Sequence, residues 1–133
     1  QLKVKEAVLT LSPVDSNTSA FHFNVYGGPE DVYLLRVSSP SAIRVEMHDV
    51  TVDPKTGAVS MAPLQRVRIP AGETVAFKKG GKHVMMWGVN LIPRRLGVIE
   101  TEFLFSNNVR ILVKARVQEV DGTDPDEKKA IDG

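Results

Sequence analysis

Soft donor side chains crowd one stretch of this chain. All four methionines and two of the three histidines lie between Met47 and Met86. In order, the stretch offers Met47-His48, then Met61, then His83, Met85 and Met86. Thioether sulfur and imidazole nitrogen are soft and intermediate ligands that together suit Cu(I). The chain has no cysteine, which removes a zinc–thiolate site, a blue-copper centre and a thiol nucleophile from consideration. Neutral donors compete poorly for Mg²⁺ or Ca²⁺, and zinc favours Cys, His and carboxylate. The chemistry on offer is therefore Cu(I) held by two imidazoles and one or two thioethers. Thioethers have no proton to lose, so such binding weakens mainly as imidazoles protonate, at about pH 6 and below.

The elements that must position these donors read as β-strands throughout. Segments 5–11, 20–26, 32–37, 42–48, 66–69, 74–77, 83–89, 97–105 and 109–117 alternate or run apolar and are rich in Val, Ile, Phe and Thr. Turn signals separate them: Gly27-Gly28-Pro29, Ser38-Ser39-Pro40, Asp53 to Gly57, Pro70-Ala71-Gly72, Gly80-Gly81 and Ser106-Asn107-Asn108. No segment shows a sustained helical period with caps. Short strands at this spacing predict an all-β antiparallel sandwich or barrel. The 133 residues fit one domain, expected over 1–120 and followed by a charged tail at 121–133 that reads as disordered.

Charge excludes further classes. Seventeen basic residues stand against sixteen acidic ones, a formal +1, with no basic run carrying interleaved aromatics, so nucleic acid is not an expected partner. No stretch approaches the roughly eighteen apolar residues of a membrane helix. The chain begins at Gln1 rather than Met, which suggests an upstream segment removed by processing or trimming.

Strand parity sorts the donors. Side chains alternate, so His83, Met85 and Trp87 share one face while Val84 and Met86 point into the core. In segment 42–48, Ile43, Val45 and Met47 share the core face and His48 lies opposite. Parity thus selects His48, His83 and Met85 for a shared site and leaves the direction of Met61 open. The competing reading is that methionine is an ordinary filler of β cores. His22, between Phe21 and Phe23, reads as an outward residue, Trp87 as packing near the site, and Arg94-Arg95 as a solvated loop.

The stretch from Val37 to Asn90 resembles the periplasmic Cu(I) chaperones called PCu(A)C, or DUF461, proteins. Twenty-one residues separate Met61 from His83, as in that family's pattern, and His83-Val84-Met85 supplies its H-x-M. The runs Val67 to Val75 and Gly80 to Met85 look like the family's stretch between those ligands, and Ser38-Ser39-Pro40 leads into Val45-Glu46-Met47-His48 as its first histidine is approached. Twelve residues rather than eleven separate His48 from Met61, and the methionine beside the first histidine precedes it here.

The resemblance implies a cupredoxin-like Greek-key sandwich with His48, Met61, His83 and Met85 as Cu(I) ligands. It further implies a monomeric, non-enzymatic chaperone, periplasmic or exported and tethered to the membrane if the removed segment is an anchor. Its copper would go to the CuA-bearing subunit of cytochrome c oxidase, alongside a Sco-type partner. The alternatives are a structural or adhesive β-sandwich without metal, a periplasmic copper store, and a copper-dependent oxidase or reductase.

Overall fold

The computed structural model describes residues 1–12 and 18–119; the tail expected at 121–133 lies outside them. Ten strands and one short helix follow in the order β1 (Lys3–Leu11), β2 (Thr18–Tyr26), β3 (Val32–Ser38), β4 (Arg44–Val52), β5 (Val59–Leu64), β6 (Val67–Ile69), β7 (Thr74–Phe77), β8 (His83–Trp87), α1 (Leu91–Leu96), β9 (Val98–Phe105) and β10 (Arg110–Glu119). The strands form one continuous sheet in the order β5-β4-β8-β2-β1-β10-β9-β3-β6, with β7 paired to β2 beside β8. β3 also approaches β4, so the sheet nearly closes on itself. The result is the expected all-β, cupredoxin-like sandwich or barrel. One pairing departs from the antiparallel rule: β1 and β10, at opposite ends of the chain, run parallel, with Val8 beside Arg116 and Leu11 beside Glu119.

The alternation of β2 shows why the sheet folds this way round. Ser19, Phe21, Phe23 and Val25 are buried, and the residues between them are only partly so. Phe23 stacks on Phe77 at 4.4 Å and meets Phe103 edge-on at 4.8 Å. Burying one such ring contributes about 1.5–3 kcal/mol, and aromatic pairs in these geometries add about 0.5–1.5 kcal/mol more. A one-residue slip of β2 would turn this whole set outward. The core therefore fixes which residues face the other way: Thr18, Ala20, His22, Asn24 and Tyr26.

Two expectations need correction. Residues 91–96 form a helix rather than a loop, so Arg94 and Arg95 sit in a last turn where their charge suits the carbonyl end. The Asn90 side chain accepts from the Ile92 amide at 3.0 Å, and Gly97 closes the helix in a left-handed conformation with its amide on the Pro93 carbonyl. Pro93 is tolerated because it falls in the first turn, where its missing amide costs nothing. Ile43 is 85% exposed rather than in the core. β4 starts at Arg44, two residues later than expected, and Ile43 lies over Gly88, where a Cβ would clash with its side chain.

Candidate metal centre

β8 is the organising strand. Val84 and Met86 are fully buried, which turns His83, Met85 and Trp87 to the other face of the sheet. Antiparallel pairing with β4 sets His48 directly opposite His83, Glu46 opposite Met85 and Arg44 opposite Trp87. On the other flank β2 sets Ala20 opposite Met85 and Phe21 opposite Val84; His22, the next residue of β2, lines the same depression as His83. The β4–β5 hairpin places Pro63 opposite His48 and Met61 opposite Val50. Met61 thus shares the face of His48, a direction the sequence left open.

The structure brings all four sequence-selected donors into one neighbourhood. The His48 and His83 rings lie 6.0 Å apart, and His48 lies 6.1 Å from Trp87, which carries the Arg44 guanidinium 4.1 Å above its ring. Met61, His83 and Met85 line a depression of about 490 Å³, together with His22, Val50 and Lys79. Gln118 of β10 lines it as well, although five strand spacings, roughly 24 Å if flat, separate β5 from β10. The sheet therefore curls around the depression. Met47 and Met86, by contrast, are core residues at 5% and 0% exposure, as parity requires.

Hydrogen bonding assigns the tautomers of His48 and His83. His83 Nδ1 lies 2.9 Å from the Gly81 carbonyl oxygen. A carbonyl only accepts, so Nδ1 carries the proton and Nε2 keeps its lone pair. His48 Nε2 lies 3.0 Å from Glu46 Oε1, so here Nε2 donates to the carboxylate. That leaves His48 Nδ1 as a buried acceptor with no partner, alone in this respect among the described residues. An unpaired buried polar atom costs about 1–3 kcal/mol. A lone pair held this way is what a metal needs, and an imidazole oriented by a carboxylate is the usual supporting arrangement around one. Glu46 is itself held by Arg44 Nε at 3.2 Å.

The donor set fits a soft ion. Among the described residues no three His, Cys, Asp or Glu side chains are placed so that together they could hold one metal ion, so the neighbourhood offers no closed set of hard or nitrogen-only ligands. It does offer two imidazole lone pairs flanked by two thioethers. Met61 remains 59% exposed at the rim, while His83 is only 6% exposed. Sequence reasoning missed two neighbours of these donors, Glu46, which orients His48, and His22, which lines the depression outside the four-donor set. The i, i+2 parity of Glu46 with His48 was visible, but the hydrogen bond between them was not. His22 comes near only because β2 and β8 are neighbours in the sheet. Burial holds the His22 imidazole below the usual histidine range, and electrostatic repulsion from His83 and Lys79 pushes it the same way.

The fold is the one seen in solved PCuAC domains. The chain superposes on the copper-bound PCuAC domain from PmoF2 with a TM-score of 0.72 at 16% identity, covering 90% of this chain and 93% of that one. It superposes on apo-DR1885 from Deinococcus radiodurans with a TM-score of 0.63 at 20% identity, covering 90% and 80%. For the CuI form of DR1885 the TM-score is 0.61 at 21% identity, covering 84% and 74%. At these identities the likeness is one of fold. By sequence the chain belongs to the LpqE-like family, whose model matches residues 2–117. No curated protein matches the sequence.

Proposed function

We propose that the chain binds one Cu(I) ion through His48, Met61, His83 and Met85 and serves as a copper chaperone. The observation that carries this reading is the cross-strand pair His48–His83. Each ring has one nitrogen committed to an acceptor, which leaves the other as a lone pair, and thioethers stand on the same face. Two structures of the same fold, the copper-bound PCuAC domain from PmoF2 and CuI-DR1885, support the choice of metal. Neutral donors and an exposed Met61 suit an ion that must be passed on, because they add no charge to hold it. The PCu(A)C resemblance supplies the finer reading: a periplasmic or exported carrier, tethered if an anchor precedes it, that delivers copper to the CuA centre of cytochrome c oxidase with a Sco-type partner. The test is a Cu(I) titration against a competing chelator under reducing conditions. Wild type should take up one equivalent and His83→Ala should lose it; equal uptake by both proteins would overturn the assignment.

A further inference from the structure

We infer that His22 is a third imidazole donor on this face, and that His22 and His83 together hold a divalent copper ion in a second binding mode. The inference rests on the copper-binding reading above and extends it to a residue and an oxidation state that the thioether set does not use.

The sheet puts His83 between two strands that each carry a histidine. His48 of β4 is paired with it on one side, and on the other His22 directly follows Phe21, which lies opposite Val84. Opposed residues on neighbouring strands have Cβ atoms about 4.5–5.5 Å apart, and an imidazole–metal bond is about 2.0 Å. Two such rings can therefore meet at one ion. The depression is where they would do so, since His22 and His83 both line it and each lies within the other's electrostatic reach. The curl of the sheet turns these side chains inward rather than splaying them.

Chemistry selects the ion. Imidazole nitrogen suits divalent copper, which binds a given nitrogen site more tightly than zinc does, whereas thioether is a ligand for the monovalent state. The described lining of the depression supplies no carboxylate or thiolate that would favour zinc. Water can complete the coordination, because the depression opens to solvent. Lys79 also lines it and its charge opposes a cation, but Lys79 is exposed and its ammonium can stay in water. His83 has one free lone pair, so the two modes exclude each other: the chain holds one copper, with sulfur and nitrogen when monovalent or with His22 and His83 nitrogen when divalent.

The experiment titrates the whole chain with copper(II) sulfate, and separately with Cu(I) against a chelator, in wild type and His22→Gln. Electron paramagnetic resonance counts the coupled nitrogens. Wild type should bind one Cu(II) with two imidazole nitrogens. His22→Gln should lose one of them and bind Cu(II) about tenfold or more weakly, yet keep its Cu(I) affinity, which also shows that the variant is folded. An unchanged Cu(II) spectrum and affinity in His22→Gln would overturn the inference. So would wild type that binds Cu(I) and no Cu(II), and in both cases the Cu(I) reading would stand. Wild type that binds neither ion would overturn both.

Discussion

Met85 and Met86 are neighbours in the chain and occupy different worlds. Met86 is fully buried in the aromatic and aliphatic core, and Met85 is half-buried on the outer face beside His83 and across from Glu46. One residue of a two-residue period separates filling a volume from presenting a lone pair. On the inner face only size and shape matter, and any side chain of similar volume would serve. On the outer face size matters little, and what counts is the row of nitrogen and sulfur atoms that the register lines up. Met47 and Met61 repeat the contrast on β4 and β5.

The largest effect that can break this comparison is on stability. Met86→Ala should destabilise the fold by about 2–5 kcal/mol, and Met85→Ala by less than about 1 kcal/mol, measured by urea denaturation. Equal losses would mean that the two faces are not distinct. A smaller effect probes the support of the outer row. Glu46→Ala frees His48 from the carboxylate that fixes its tautomer, and Cu(I) affinity should fall about 10–100-fold with the melting temperature nearly unchanged. Unchanged affinity would show that Glu46 merely pairs with Arg44.

The smallest expected effect is the pH dependence of stability through His22. Its imidazole is held below the ordinary value by burial, then by the charges of His83 and Lys79. The unfolded chain therefore takes up the proton first as pH falls. The His22 contribution to stability is complete above about pH 6.5 and is lost as pH drops through the folded value. Melting temperatures measured from pH 8 to pH 5 should fall over the acidic half of the range, and less steeply in His22→Gln. A steeper fall in the variant would give the shift the opposite sign.

Much of this molecule was legible in its sequence, because a two-residue period is a strong local signal. It located nine of the ten strands within a few residues, sent Met47 and Met86 to the core, and set His83 and Met85 on one face. What it did not show depends on pairing or on elements too short to have a period. The six residues of α1 carried an Asn90 cap, a first-turn Pro93 and a closing Gly97, yet they span too few turns for a helical pattern. β5 falls outside the segments that alternation picks out, and only its register against β4 gives Met61 a direction. The parallel β1–β10 pair joins segments a hundred residues apart, which local pattern cannot report. His22 looked like any outward residue of β2 until β8 was placed beside it.

The most direct test of the account is copper K-edge X-ray absorption of the Cu(I)-loaded protein, comparing Met85→Leu with Met86→Leu. The account predicts a mixed shell of nitrogen and sulfur in wild type, retention of the sulfur signal in Met86→Leu, and its partial loss in Met85→Leu. A shell of nitrogen and oxygen alone, or sulfur loss in Met86→Leu rather than in Met85→Leu, would contradict it.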